Sequence, residues 1–414
     1  YWTDPNTLPD PEPDTSEVAG RDGRVVARGG AGQQIPGFVN GSPEEANGLG
    51  GRTIYYDRTT SLLAPLNVDS TLAASLVSDF DVATAKEAEE LIAFARGLDV
   101  DDLDDDKNTS EAREWLFGDA LHSRPLPINY GSYGSYTDPS NSAIYLAVAT
   151  NDGMLRMIRN TNPGGSESGE EVWAFMPRNA MKAQKTLRAN GSGMKHPYTV
   201  DGAPVALLQD RNFDGSIVAN DGDKVYLYVG MRRGGKAYYA LDVTNPEKPS
   251  LMWTIEKSGD FAELGYTFSN PRVGLINSPN GPRAVVMFAG GYDMNKDTRG
   301  VVGTDDSEGN AIYIVDAETG ELIWKARGGN GGSATVFEHP QLVDSIPSTL
   351  AAADTDGDGL TDRIVVGDTG GNVWRADIQG PDTAEWKLTL LASLGRHTSG
   401  AMGIISDRRF FHRP

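Results

Sequence analysis

The sequence predicts an all-β fold, a modified β-propeller with decorated loops, preceded by a coil and a short helical segment. Three observations predict it. Glycine makes up 49 of 414 residues beside 38% hydrophobic residues, a balance that suits many turns between short strands. From about residue 141, short apolar runs alternate with Gly/Asn/Asp turns. Finally, tryptophan closes four units of one design: Trp173 in "GEEVWAF", Trp253 in "KPSLMWTI", Trp324 in "GELIWKA" and Trp386 in "TAEWKL". These are spaced more widely than the roughly 40–50 residues of a plain blade, so insertions or degenerate blades separate them. A pair of β-sandwiches is the alternative. Radial repetition explains the recurring Trp better, and each Trp is expected to pack between neighbouring blades.

Residues 1–50 are rich in Pro, Gly, Asp and Glu and read as linker or coil. Residues 51–118 form a mixed segment leading into the propeller. Within it, "VATAKEAEELIAFAR" (82–96) spaces Ala88, Leu91, Ile92 and Ala95 as one helical face, with Asp81 as N-cap and Gly97 as stop. The propeller is expected over 119–414, with no obvious closing strand at its end. "AIYLAVATNDGMLRMI" (143–158) reads as strand, Asn-Asp-Gly turn, strand, because those residues tolerate the positive φ of a tight turn. The same texture returns at 224–243, 284–293, 311–324 and 363–378. The chain begins with Tyr1, not Met, and reads as a piece of a longer protein.

Net charge is −21, which repels nucleic acid and anionic membranes and attracts cations. No cysteine is present, which excludes disulfides, thiol catalysis and Cys-held metals. No run of about 18 apolar residues could span a membrane. The five histidines, His122, His196, His339, His397 and His412, show no metal-ligand spacing. Nucleophile elbows and phosphate-binding loops are missing too, so no enzyme is expected.

The chemistry lies in "AAADTDGDGLTDRIVVGD" (351–368). Counting Asp354 as position 1, Asp356 and Asp358 fall at 3 and 5, and Gly359 at 6, where the backbone must turn. Leu360 at 7 can offer its carbonyl, and Asp362 stands at 9. Ca²⁺ takes six to eight oxygens, and this spacing supplies them from one turn. Position 12 is Val365, inside an apolar run, so the loop feeds a strand and is not an EF-hand. Carboxylates this close repel without a cation. Mg²⁺ is disfavoured because it keeps most of its waters. Weaker candidates are Asp99, Asp101, Asp102 and Asp104 in "DVDDLDDDK", which lacks the turn glycine, and Asp210, Asn212 and Asp214 in "DRNFDGSIVANDGD". The second has Val218 at position 9, where Asp221 or Asp223 could fold back. "DMNKDTRG" (293–300) has Thr298 where the glycine belongs.

From about 97 to 378 these stretches, in this order, resemble the C-terminal propeller domain of the PilC/PilY family of type IV pilus tip-associated adhesins and assembly factors. They are "RGLDVDD", "WLFGDALHSRPLPINYGS", "AVATNDGMLRMI", "EEVWAFMP", "HPYTVDGAPV", "VYLYVGMRRGGKAYYALDVTNP", "ELGYTFSNPRVGLIN", "VVMFAGGYD", "AIYIVDAETGELIWKA" and "AAADTDGDGLTDRIVVGDTGGNVWRADI". The resemblance implies a modified seven-bladed propeller, a calcium loop matching Asp354, Asp356, Asp358, Leu360 and Asp362, and no catalysis. It implies a role in the balance of pilus extension and retraction, in twitching motility and in surface adhesion. Its partners would be minor pilins of the pilus tip complex and a host or abiotic surface ligand, and its place the cell surface at the pilus tip, after export through the periplasm and outer membrane. A second calcium loop of some members lies where 99–107 lies, but that stretch departs from the spacing. An integrin-recognition tripeptide is not matched, since "GRDGR" (20–24) scrambles its order. Two alternatives remain. "VDAETGELIW" (315–324) resembles the tryptophan-docking repeat of pyrroloquinoline-quinone dehydrogenases, although the vicinal disulfide many of them use is excluded here. An integrin-like calcium propeller of unknown partner shares the same fold.

Overall fold

The structure, a computed structural model, describes residues 30–32, 34–35, 38–39, 42–43, 52–103, 105, 107–109, 111–113, 116–298, 304–395 and 407–414. Most of the predicted 1–50 coil therefore lies outside the described residues. Two compact units are present. One holds the described residues up to 203 together with 208–225 and 242–250. The other holds 204–207, 226–241 and those from 251 onward.

In the first unit, β1 (Phe38–Val39) and β2 (Ser42–Pro43) form a short antiparallel pair. A hairpin of β3 (Ile54–Thr59) and β4 (Leu62–Pro65) precedes two helices, α1 (Ser70–Ser75) and α2 (Ala85–Arg96). The α2 N-cap is Thr84, not the expected Asp81. Thr84 Oγ1 accepts from Glu87 N and the Glu87 carboxylate accepts from Thr84 N, a reciprocal box that Asp81, at φ +54°, is not placed to make. Gly97 ends the helix at φ +114°, as expected. Strands β5 (Leu126–Asn129), β6 (Ile144–Thr150), β7 (Met154–Arg159) and β8 (Glu171–Phe175) follow as a meander. The β3–β4 hairpin adds to β8, giving the order β4-β3-β8-β7-β6-β5. Two short helices, α3 (Arg178–Met181) and α4 (Ala183–Ala189), come next.

A buried ionic knot ties this unit. Arg52 Nε donates to Glu171 Oε1 at 2.7 Å, and Arg156 reaches both Glu171 and Asp152. Arg156 is fully buried and Glu171 is 1% exposed. Helix α2 joins through Arg96, whose Nη2 donates to Arg52 O at 2.7 Å. Burial alone would raise the Glu171 carboxyl, but Arg52 and Arg156 beside it hold it below the usual range.

Strands β9 (Val205–Gln209), β10 (Lys224–Gly230), β11 (Ala237–Asp242) and β12 (Ser250–Glu256) form a second sheet in simple meander order. A third contains β13 (Arg272–Ile276), β14 (Arg283–Ala289), β15 (Ala311–Asp316) and β16 (Leu322–Gly328), extended by β17 (Gly332–Ser333) and β18 (Val336–His339). The fourth is β19 (Ala351–Ala353), β20 (Arg363–Gly367), β21 (Asn372–Asp377) and β22 (Lys387–Ser393). Among the described residues, then, four sheets carry four consecutive strands in the meander order of a propeller blade. Strands such as β11 and β15 are buried along nearly their whole length, because both their faces are covered.

The tryptophans fix sheet to turn. Trp173 Nε1 donates to Pro246 O at 2.7 Å, and Trp253 Nε1 donates to Ala317 O at 3.2 Å. Gly320, at φ +73°, lies so close to the Trp253 indole that a Cβ there would come within 2.7 Å of it. Trp324 and Trp386 meet edge to face at 5.8 Å. Trp386 differs from Trp173 and Trp253: its Nε1 donates to Gly380 O within the connection between β21 and β22 of its own sheet. On β21 it is Trp374 that is locked, through Nε1 to Asp368 Oδ2 at 2.7 Å.

Asp368 is fully buried, and burial is the main reason that its carboxyl is pushed up to about 6. A carboxyl raised on folding makes the native state bind a proton that the unfolded chain has already released between about pH 4 and 6. Its contribution is therefore full below pH 4 and is lost as pH rises through 6, by about 3 kcal/mol in all. Asp368→Asn is expected to be less stable, because an amide N–H then faces donors. It should also lack this slope when denaturant midpoints are compared with wild type from pH 4 to 7.

Candidate metal centre

The 354–362 loop joins β19 to β20, whose pairing closes with Ala353 opposite Arg363. Asp354 and Asp356 are exposed, whereas Asp362 is 7% exposed. Backbone N–H groups shape the turn. Asp354 Oδ2 accepts from Gly359 N at 2.8 Å and its Oδ1 from Gly357 N at 2.6 Å. These N–H groups, Gly359 first, hold the Asp354 carboxyl below the usual range. Gly357 and Gly359 stand at φ +83° and +87°, a region that glycine enters without steric cost. Asp356 Oδ1 accepts from Asp358 N at 3.3 Å, and Asp358 Oδ1 from Leu360 N at 2.8 Å.

Asp362 reaches back across the loop. Its Oδ2 accepts from Thr355 N at 3.1 Å and from Thr355 Oγ1 at 2.6 Å. Its Oδ1 is buried and has no hydrogen-bond partner. One carboxylate oxygen from each of Asp354, Asp356 and Asp362 lies within 4.8 Å of the others, the one such acidic group among the described residues. Asp358, expected as a fourth ligand, is not part of this group and instead accepts from the Leu360 N–H. Three grouped carboxylates, with a desolvated and unsatisfied oxygen on Asp362, fit a hard divalent cation.

The 210–223 loop folds on the same plan. Asp210 Oδ2 accepts from Gly215 N at 2.8 Å, Asn212 Oδ1 from Asp214 N at 3.2 Å, and Asp214 Oδ1 from Ser216 N at 2.8 Å. Each contact repeats one in the 354–362 loop at the same position. Phe213 and Gly215 take positive φ, +57° and +80°, where the other loop has Gly357 and Gly359. The structure divides the two late aspartates by role. Asp223 accepts from Arg211 N and Val218 N, both at 2.8 Å, so it holds backbone as Asp362 Oδ2 does. Asp221 faces the Asn212 amide group, whose Nδ2 lies 3.3 Å from Asp221 Oδ2 and 3.1 Å from Asp214 Oδ2. As oriented, that amide bridges the two carboxylates as a neutral donor. The acidic stretch at 99–107 is engaged differently. Both oxygens of Asp101 pair with Arg188, at 2.7 Å for the shortest contact, and Asp102 Oδ1 accepts from Lys107 N. Asp99 Oδ2 accepts from Leu103 N at 2.8 Å, while its buried Oδ1 has no partner. Asp104 lies outside the described residues, as does His397.

In "DMNKDTRG" the side chain of Asp293 caps the turn by accepting from Asn295 N. Histidines 122 and 196 lie close to Asp201 and Asp119, at 2.6 and 3.0 Å, pairings that the sequence spacing did not signal.

Blade meanders carrying a carboxylate-lined loop in a β-hairpin define the described chain as a β-propeller with a candidate cation site. The family model for the PilY1 beta-propeller domain matches residues 123–387. The type IV pilus biogenesis factor PilY1 of Pseudomonas aeruginosa is 30% identical over 72% of this chain, which spans 23% of that relative. A PilY1 homolog of Xylella fastidiosa is 28% identical over 64% of this chain and 16% of its own length. The crystal structure of the P. aeruginosa PilY1 C-terminal domain aligns over 64% of this chain and 51% of that one, at 25% identity and a TM-score of 0.42. The chain belongs to the PilY1 β-propeller family. It spans about a quarter of the length of these Pseudomonas relatives. Among the described residues no helix is long and apolar enough to cross a membrane.

Proposed function

We propose that this chain is the propeller module of a type IV pilus biogenesis factor, and that its 354–362 loop binds Ca²⁺. The pilus role is supported by the family and by the function carried in its relatives' names. The calcium reading rests on one observation: a carboxylate oxygen from each of Asp354, Asp356 and Asp362 lies within 4.8 Å of the other two, and Asp362 carries a buried, partnerless Oδ1. Calcium accepts irregular all-oxygen cages, whereas Mg²⁺ holds to near-ideal octahedra and keeps waters. In this reading the ion staples the hairpin and signals to pilus extension and retraction. The protein acts at the cell surface, at the pilus tip, beside minor pilins, and supports twitching and attachment to a host or abiotic surface.

The same reading extends to the 210–223 loop. Turning the Asn212 amide about its own axis would present Oδ1 where Nδ2 stands, between Asp214 and Asp221, at the cost of the bond that Asp214 N now donates to Oδ1. It does not extend to Asp101, whose oxygens Arg188 occupies.

The test is complementation of a strain lacking its own factor with the full-length gene, wild type or carrying Asp362→Ala. Wild type should restore surface pili and twitching, and the variant should shift both away from wild type. Failure of the wild-type gene would overturn the pilus role. Wild-type pili and motility from a variant shown to have lost calcium would overturn the signalling role.

A further inference from the structure

Lys296 is a buried cation inside a cage of acids. It sits on a short turn, Met294–Asp297, and is 3% exposed. Its Nζ lies 2.9 Å from Asp344 Oδ1 and 3.5 Å from Asp306 Oδ1, and it also donates to Thr304 O. Asp344 and Asp306 are 2% and 8% exposed.

The two carboxylates are not equivalent. Asp306 is fixed on every side. Its Oδ1 accepts from Asn295 Nδ2 at 2.9 Å, and its Oδ2 from Ser345 N at 2.7 Å and Thr369 Oγ1 at 3.0 Å. Asp344 is held through Oδ1 alone, and its Oδ2 is buried without a partner. The third acid nearby, Asp368, has its oxygens occupied by Gly370, Asn372 and Trp374. So an amine nucleophile, a carboxyl with one idle oxygen and a second, immobilised carboxylate meet in a buried cluster. These are the parts an amide condensation needs.

We propose that Lys296 and Asp344 join in an intramolecular isopeptide bond, with Asp306 as the catalytic residue. Asp306 takes a proton from the Lys296 ammonium. The freed Nζ attacks Asp344 Cγ, the protons pass to Asp344 Oδ2, and that oxygen leaves as water. The balance is one ammonium and one carboxylate giving one secondary amide and one water, with no oxidant or activating group. Holding the partners at hydrogen-bond distance replaces a bimolecular encounter by a unimolecular step. Excluding bulk water protects the product from hydrolysis. The step also removes two buried charges and the Asp344 oxygen that has no partner in this cluster. The bond would close a covalent loop between residues 48 apart in sequence, around the turn that carries Lys296.

Intact-mass spectrometry of the purified chain tests this. Wild type should weigh about 18 Da less than its sequence mass, one water lost. Proteolysis should release a branched peptide joining Lys296 to Asp344. Lys296→Arg and Asp306→Ala should both show the full mass, with circular dichroism confirming that they fold. A wild-type chain of full sequence mass overturns the proposal, whatever the variants do. So does a water loss that maps to an Asp-Gly succinimide, with the Lys296 and Asp344 peptides recovered separately.

Discussion

Asp362→Ala is expected to weaken calcium binding at its loop at least 100-fold and to abolish the stabilisation that calcium confers there. The variant removes the buried oxygen that has no other partner and also the acceptor that draws Thr355 across the turn. If the loop binds calcium as proposed, free calcium at about 100 times its dissociation constant would stabilise the folded wild type by ~2.7 kcal/mol. For a unit of this size that is roughly 5–10 °C in melting temperature. Scanning calorimetry with calcium and with a chelator should therefore give a gap for wild type. For Asp362→Ala the loop's contribution to that gap should vanish. Asp358→Ala should have a smaller effect, since its carboxylate stands outside the converging group. Equal losses in the two variants would mean that the loop closes further around the ion than its geometry shows.

Glu171→Ala should be the most damaging single change in the first unit, costing about 3–5 kcal/mol. It leaves the Arg52 and Arg156 guanidiniums buried without their shared carboxylate. Arg156 keeps Asp152, but Arg52 loses its one carboxylate partner among the described ion pairs. Glu171→Gln, which keeps the shape and one acceptor oxygen, should cost less. Denaturant unfolding followed by circular dichroism measures both. A cost under about 1 kcal/mol for the alanine variant would show that water or rearrangement relieves the arginines.

The blade strands were legible because their apolar runs and Gly/Asn/Asp turns are local signals. The grouping of Asp354, Asp356 and Asp362 was legible for the same reason, since their spacing lies within nine consecutive positions. What sequence could not show was convergence. Asp358 has the right spacing, yet the turn points its carboxylate to its own backbone. Val218 breaks the spacing of the second loop, and only the fold reveals that Asp223 takes over the backbone contacts while Asp221 turns to Asn212. The α2 cap is readable as Thr-x-x-Glu at 84–87, but Asp81, an equally good capping residue by type, competes with it in the sequence. The Glu171 knot left no trace in sequence, because Arg52 stands 119 residues away. Blade number was obscured by the uneven tryptophan spacing, and Trp386 bonds within its own β21–β22 connection where Trp173 and Trp253 reach a neighbouring turn.

Calcium titration calorimetry on wild type and Asp362→Ala tests the central claim most directly. Wild type, stripped of metal, should bind calcium, and the variant should bind one ion fewer per chain. Asp214→Ala should leave the 354–362 site intact. Equal stoichiometry and affinity in wild type and Asp362→Ala would contradict the account.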